Sequence, residues 1–123
     1  MKETVAILGA STKPGRYSHM VQLALLEHGH IPVPVNPRYE DIDGIRCYRD
    51  LHSIEASIDT ITVYVRPEIL TGMTEELVRA RPKRVIFNPG AENRQVAAQL
   101  EAEGIRVQNA CTLVLLNTSS FSG

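Results

Sequence analysis

The stretch TVAILGASTKPGRYS, Thr4 to Ser18, decides how this chain folds. Its first part, up to Gly9, is a nearly continuous apolar run, which is typical of a strand covered by helices on both faces of a parallel sheet. Glycine, proline and polar residues follow, and a helical repeat of apolar residues begins at Tyr17. The stretch therefore predicts the first, central strand of a sheet, then a loop, then a helix.

The same alternation of short β-branched runs and helical repeats continues to the end of the chain. Four more strands are predicted at 31–35, 59–65, 83–90 and 105–112, and helices at 17–27, 67–82 and 93–103. Between them, Asp43-Gly44 predicts a turn and Tyr48 to Ile54 a helical turn; the last segment, LVLLNTSSFSG, is either a short helix or a packed tail. We therefore predict a single α/β domain over residues 1–123, with a doubly wound, mainly parallel five-stranded sheet and helices on both faces.

The second predicted strand, IPVPV, contains two prolines that bear on its place in the sheet. Pro32 and Pro34 each lack the N–H that a strand ladder uses, and this normally indicates an edge strand. Period-two spacing puts both prolines on one side of the strand. The prolines thus conflict with a place for this strand inside the sheet. We expect their side of the strand to face a neighbour with which pairing is incomplete.

Composition excludes several classes of function. The net charge of −1 argues against a general nucleic-acid surface. The apolar run before Gly9 is too short for a signal segment or a membrane span, so we expect a cytoplasmic protein. Cys47 and Cys111 have no metal-type spacing and are expected to be free thiols.

The histidines and most carboxylates are expected to have ordinary structural roles. His28 and His30 flank the end of the first helix, where a structural role is favoured over metal binding. We expect His19 to be exposed to solvent. The acidic residues of the turn-rich segment are expected to form a solvated face; they are Glu40, Asp41, Asp43 and Asp50.

A ligand site is expected beyond the carboxyl ends of the strands, because open parallel sheets bind ligands where their strand order reverses. The residues after the five predicted strands are polar or turn-forming, and none supplies an acid–base pair. They are 9–12, 36–38, 66–67, 88–90 and 109–112. This edge is therefore predicted to bind a ligand rather than to react with it.

The first loop resembles a dinucleotide-binding turn but lacks one of its glycines. Gly9 and Gly15 are present, whereas the second glycine of G-x-G-x-x-G is missing. The loop instead offers hydroxyls, positive charges and free helix N–H groups to an anion. These groups belong to Ser11, Thr12, Lys13, Arg16 and Tyr17. Phosphate binding is predicted, without the dinucleotide pattern.

The end of the second strand bears on which nucleotide is bound. A reader of NAD is expected to place an acidic residue there for the ribose hydroxyls. This chain has Asn36, followed by Pro37 and Arg38. The arginine favours a phosphorylated ribose over NAD, and NADP is one such ligand.

Several of these segments together resemble the CoA-binding domain family, the single-domain Rossmann-like proteins related to the nucleotide-binding domain of the succinyl-CoA synthetase α subunit. The resemblance covers about Val5 to Thr112 and rests on VAILGAS with KPGRYS, GHIPVPVNPR, DGIRCYRDL, DTITVYVRPE, RVIFNPGAEN and GIRVQNACTLV. It implies CoA or acyl-CoA as the ligand. The implied contacts are Gly9, Ser11, Thr12, Lys13, Arg16, Tyr17, Asn36, Pro37, Arg38, Val65, Arg66, Pro67, Asn88, Pro89, Gly90 and Asn93.

Two functions therefore stand at this point. The first is a non-catalytic module that binds CoA or acyl-CoA, with no nucleic acid or membrane as partner. The second is an NADP-dependent oxidoreductase or another nucleotide-binding domain, and the missing glycine and acid–base pair favour the first. The sequence leaves open a homodimer or a partner enzyme subunit, and also whether Cys111 is a small core residue or forms a mixed disulfide with the CoA thiol.

Overall fold

The computed structural model describes residues 2–122 as one five-stranded parallel sheet, a short antiparallel hairpin and five helices. The strands are β1 (Thr4–Leu8), β2 (Ile31–Val35), β3 (Asp41–Ile42), β4 (Ile45–Arg46), β5 (Thr60–Val63), β6 (Arg84–Phe87) and β7 (Arg106–Asn109). The helices are α1 (Tyr17–Glu27), α2 (Pro67–Thr71), α3 (Thr74–Ala80), α4 (Arg94–Ala102) and α5 (Thr112–Asn117), with a 3₁₀ turn at Leu51–Ser53. The predicted α/β fold is confirmed.

The main sheet has the order β2-β1-β5-β6-β7, with all neighbours parallel. One hydrophobic cluster joins β1 to α1 and α5 and includes Ile7 and Leu25. The other lies on the opposite face with α2, α3 and α4 and includes Leu77 and Leu100. The sheet is therefore covered on both faces, as predicted. β1 lies inside it, but the central strand is β5, and the strand order reverses between β1 and β5.

β2 is an edge strand, which resolves the conflict over its prolines. Ile31 N–H donates to Glu3 O, and Val35 O accepts from Gly9 N–H, so the odd-numbered residues of β2 pair with β1. Pro32 and Pro34 therefore face the outer side, where a ladder N–H is not needed. On that side Tyr48 N–H donates to the carbonyl oxygen of Pro34, and Asn36 N–H, just past the strand, donates to the carbonyl oxygen of Tyr48.

The helix predicted over residues 67–82 is two helices, α2 and α3, with a break at Gly72 and Met73. Across the break, both residues donate to carbonyls three positions earlier, those of Ile69 and Leu70. The amide of Asn93 holds the end of α2 from outside, since its nitrogen donates to the carbonyl of Pro67 and to the hydroxyl of Thr71. The apolar repeat is continuous in sequence, but these three-residue bonds at Gly72 and Met73 interrupt the helix.

Smaller corrections concern the other element ends. β5 ends at Val63, so Tyr64 and Val65 belong to the following loop rather than to the strand. The helical turn predicted over 48–54 is limited to the 3₁₀ turn, and the predicted turn at Asp43-Gly44 joins β3 to β4. For the last segment, a short helix and a packed tail were the predicted alternatives. Both are present, because α5 is followed by a tail with a buried Phe121. No helix of residues 2–122 has the length and hydropathy needed to cross a membrane.

The tail is held at the amino edge of the sheet by Arg84. The buried guanidinium donates to the carbonyl of Phe121 at 2.8 Å and to the hydroxyl of Thr60 at 3.1 Å, and lies 4.4 Å above the Phe121 ring. The Phe121 ring also meets the His30 ring edge-on, with 5.0 Å between ring centroids. His30 Nδ1 accepts a 3.0 Å hydrogen bond from Glu3 N–H, so the imidazole is held neutral in this arrangement.

Burial chiefly lowers the pKa of His30, with the positive charges of His28 and Arg84 acting in the same direction against Glu3. The unfolded chain, in which this group titrates near 6.5, then binds the proton more readily than the folded chain. We therefore expect the free energy of unfolding to fall as the pH drops below about 6.5, until the folded-state pKa is passed. Urea unfolding between about pH 7.5 and 5.5 measures this slope.

The matched variants are His30→Gln, which keeps a hydrogen-bond acceptor without a titrating ring, and His52→Gln, which removes an exposed histidine. The first should flatten the pH dependence and the second should leave it unchanged. Equal slopes in the wild type and His30→Gln would contradict the assignment.

Candidate functional site

A groove of about 330 Å³ lies beyond the carboxyl ends of β1, β2 and β5, at the reversal of strand order. The first loop, the start of α1 and the segment after β2 form its walls, and Tyr64 contributes from the end of β5. Its lining residues are Gly9, Ala10, Ser11, Lys13, Arg16, Tyr17, Ser18, Asn36, Arg38, Tyr39 and Tyr64. Seven of the residues predicted for the site therefore come together here.

Gly9 shapes the start of the groove. Its φ of +91° is a left-handed conformation that other residues rarely adopt. A Cβ at this position would come within 3.1–3.3 Å of Val65 and of the backbone carbon of Tyr64. The N–H groups of Gly9 and Ala10 both donate to Val35 O. The first loop thus passes closely between the ends of β2 and β5.

The first loop is folded by its own bonds and leads directly into α1. Ser11 Oγ accepts from Lys13 N–H at 3.1 Å, and the carbonyl of Lys13 accepts from Arg16 N–H at 3.0 Å. No side chain caps the N-terminus of α1. The first turn of an uncapped helix presents free N–H groups and a partial positive charge, and both favour an anion.

The charges around the groove are positive. Lys13, Arg16 and Arg38 are exposed, and within residues 2–122 none of them forms an ion pair with a carboxylate. No aspartate or glutamate lines the groove. Three positive charges and a helix N-terminus therefore meet in one groove, and no carboxylate among the described residues lines it.

Asn36 joins the two loops that form the walls. Its Nδ2 donates to the carbonyl of Ala10 at 2.8 Å, and its Oδ1 accepts from Arg38 N–H at 2.9 Å. In NAD-binding proteins this position holds an acidic residue. Here the Asn36 side chain instead positions the backbone of both loops. Cys47 lies behind it and donates to the carbonyl of Asn36, and burial raises the pKa of that thiol.

Two tyrosines of the groove were not predicted from the sequence. Hydrogen bonding from Thr12 lowers the pKa of Tyr39, with further contributions from Ser11 and Lys13, so this phenol connects the hairpin segment to the first loop. Burial raises the pKa of Tyr64. Its hydroxyl has no hydrogen-bond partner within residues 2–122, and the nearby hydroxyls of Thr62 and Thr112 bond to each other. The sequence prediction extended β5 to Val65. The strand ends at Val63, which places Tyr64 beyond the carboxyl end of the strand, in the groove.

The β3–β4 hairpin is fixed to α1 by two side chains. His19 is buried and its Nε2 lies 2.6 Å from Asp43 Oδ2, and Gln22 Nε2 donates to the carbonyl of Ile42 at 3.0 Å. The expectation that His19 is exposed is therefore wrong. The acidic residues of this segment are exposed as expected, apart from the half-buried Asp50, but two have protein partners: Asp43 pairs with His19, and Asp50 caps the 3₁₀ turn. These contacts hold the segment that follows Arg38.

The other predicted residues lie outside this groove. Thr12 and Pro37 adjoin it, whereas the rest belong to the segments that follow β5 and β6, up to the first residue of α2 and the cap of α4: Val65, Arg66, Pro67, Asn88, Pro89, Gly90 and Asn93. Asn88 is buried, and both hydrogens of its Nδ2 are donated, to Thr62 Oγ1 and to the carbonyl of Val63; its Oδ1 accepts from Thr112 N–H. Asn93 caps α4 through its Oδ1. Both asparagines therefore also connect neighbouring elements.

The groove has few groups for covalent or metal chemistry. Within residues 2–122 no group of three or more histidine, cysteine, aspartate or glutamate side chains is placed to hold a metal ion. Both cysteines are free thiols, as predicted; Cys111 is half-buried at the start of α5. The arrangement can hold an anionic ligand but presents no carboxylate acid–base pair.

Known proteins are similar to this chain in fold and in sequence. The model of a family described as the CoA binding domain matches residues 3–117. The uncharacterized protein YneT of Bacillus subtilis is 31% identical over 100 residues, which cover 81% of this chain and 74% of that protein. A crystal structure titled as an uncharacterized protein matches with a TM-score of 0.92 and 33% identity, and the match covers 98% of this chain and 99% of that one.

A longer relative is the ADP-forming acetate–CoA ligase of Methanocaldococcus jannaschii, 31% identical over 74 residues. That match covers 60% of this chain but only 10% of the ligase. The similarity to the ligase therefore concerns one small part of it. The family match extends over nearly the whole described structure, and the chain belongs to the CoA binding domain family.

Proposed function

We propose that this protein binds CoA or an acyl-CoA and does not catalyse a reaction on it. The observation that carries the proposal is the meeting of three unpaired positive charges and an uncapped helix N-terminus in one groove without a carboxylate. CoA has three phosphates for such a site, two in its pyrophosphate and one on the ribose 3′ position. Membership of the CoA binding domain family supports this ligand over other anions.

The phosphates are assigned by position. Lys13, Arg16 and the start of α1 lie along the first loop and would hold the pyrophosphate, because helix N-termini favour phosphate groups. Arg38 follows β2, where ribose recognition is expected, and would hold the 3′-phosphate through its planar guanidinium. Tyr39 and Asn36 would act indirectly by fixing the two loops.

The pantetheine arm would leave the groove past Arg66 and Pro67 toward the turn at Asn88 to Gly90. The amide nitrogens of Asn88 and Asn93 already donate both hydrogens within the protein. Their side-chain oxygens also accept bonds within the protein, so contacts with the arm there would use backbone groups. Gly90, with a φ of +92° and no atom near its missing Cβ, leaves room for the arm.

The proposed role without catalysis is supported by the lack of carboxylates in the groove. In the acetate–CoA ligase the matching part is a tenth of the protein. We propose that this chain corresponds to a ligand-binding unit, acting either as a sensor or beside a partner enzyme. Binding of NADP at Arg38 is the alternative that the same charges allow.

Calorimetric titration with CoA, 3′-dephospho-CoA, NAD and NADP tests the proposal. CoA should bind most tightly, and removal of the 3′-phosphate should weaken binding by about tenfold or more, as expected for loss of a charge-assisted contact. Affinity should also fall with added salt. Tighter binding of NADP than of CoA would favour the oxidoreductase alternative, and no binding of any of the four would reject the proposal.

The assignment of the phosphates makes a second prediction. Arg38→Ala should weaken CoA about tenfold but change the affinity for 3′-dephospho-CoA little, because its proposed partner is absent from that ligand. Arg16→Ala should weaken both ligands. Arg49→Ala removes an exposed arginine outside the groove and is the matched control. Equal losses for the two ligands in Arg38→Ala would refute the assignment.

A further inference from the structure

The two edges of the main sheet differ in their capacity to pair. At β2 the outward positions are Pro32 and Pro34, and the Tyr48 segment crosses that side. At β7, Arg106 N–H donates to the carbonyl of the residue before β6 at 3.2 Å, and Ala110 N–H donates to the carbonyl of the last residue of β6 at 3.1 Å. Successive residues of a strand point their N–H and C=O groups to alternate sides. Val107 and Asn109 therefore direct theirs to the open edge.

A shallow groove runs beside this edge, between β7 and α4. Arg94 and Glu101 lie on α4, and both line the groove together with Val107 and Asn109. Both charged side chains are exposed, and neither has an ion-pair partner within residues 2–122. They are seven residues apart, about 10 Å along the helix, which is close to the length of β7.

We propose that β7 pairs with β7 of a second copy of this chain, in antiparallel orientation about a two-fold axis at Gln108. Val107 of each copy then lies opposite Asn109 of the other, as a hydrogen-bonded pair that exchanges two N–H···O bonds. The two such pairs give four bonds between the chains. The result is one continuous ten-stranded sheet.

The charges beside the strand fit this arrangement. α4 runs opposite to β7, because its C-terminus joins the start of the strand through the bond from Ile105 N–H to the carbonyl of Leu100. The two-fold axis reverses one copy, so Arg94 of each copy comes to the end where the other has Glu101. Along the strand Arg106 lies opposite Ala110, so no like charges oppose each other there.

This self-complementarity favours a second copy over an unrelated extended peptide. Arg94 and Glu101, opposite charges at the two ends of one short edge, match their own copy under a two-fold rotation. Glu92 also lines the groove, and its Oε1 accepts the N–H of Gly90 at 2.9 Å. The edge also carries no proline, in contrast to β2 of the same sheet. The proposal does not rest on the proposed function, because the ligand groove lies at β1, β2 and β5.

The test is the oligomeric state by sedimentation velocity over a range of protein concentrations. The wild type should form a dimer of twice the 13.6 kDa chain. Asn109→Pro removes one outward N–H at an exposed position, as the prolines of β2 do, and should raise the dimer dissociation constant by about tenfold or more. Asn109→Ala keeps the N–H and should leave the dimer intact.

Charge reversal supplies an independent test. Arg94→Glu and Glu101→Arg should each weaken the dimer, because each places two pairs of like charges across the axis. The double variant should restore it. Both changes suit the helix ends at which they lie, so circular dichroism should show folded protein throughout.

A wild type that stays monomeric at all concentrations would overturn the proposal. So would a dimer that neither Asn109→Pro nor the single charge reversals weaken, since such a dimer would use another face. The exposed leucines Leu23 and Leu26 of α1 are one such face.

Discussion

The ligand groove depends on the left-handed backbone at Gly9. β1 ends where its two neighbours diverge, and the Gly9 N–H still bonds to Val35 of β2 while its Cα passes against Tyr64 and Val65 after β5. A side chain there would have to displace backbone on the β5 side, and its φ would be strained as well. The chain can therefore turn out of the buried strand within one residue, which keeps the first loop over the gap between β2 and β5.

Polar residues at the strand ends have two different roles in this fold. Asn36, Asn88 and Asn93 all use their amides within the protein, joining loops and helix ends that are 22 or more residues apart in the chain. Such bonds are worth most when buried, because an unpaired polar group there costs about 1–3 kcal/mol. Lys13 and Arg38, by contrast, form no ion pair with a carboxylate of residues 2–122. A rigid frame thus carries charges that are free to meet a ligand.

The sequence predicts the elements that local patterns determine and fails where distant residues decide. The apolar run of β1 and the helical repeat of α1 are local, and both were predicted with nearly their observed ends. The break between α2 and α3 lies within a continuous apolar repeat, so the repeat alone does not indicate it. The burial of His19 depends on Asp43, 24 residues later, at a turn whose residues alone indicate exposure. Tyr64 was missed because β-branched residues continue past the last paired residue of β5.

The contrast between the sheet edges also bears on the ligand groove. The outer side of β2 is crossed by the segment that closes the hairpin, through the bond from Tyr48 N–H to Pro34 and the bridge at Val35. A further strand added at that edge would displace this segment, and with it the loop that carries Arg38. Prolines at the outward positions of β2 discourage such pairing. Of the two edges, β7 is therefore the one at which the sheet can be extended without disturbing the groove.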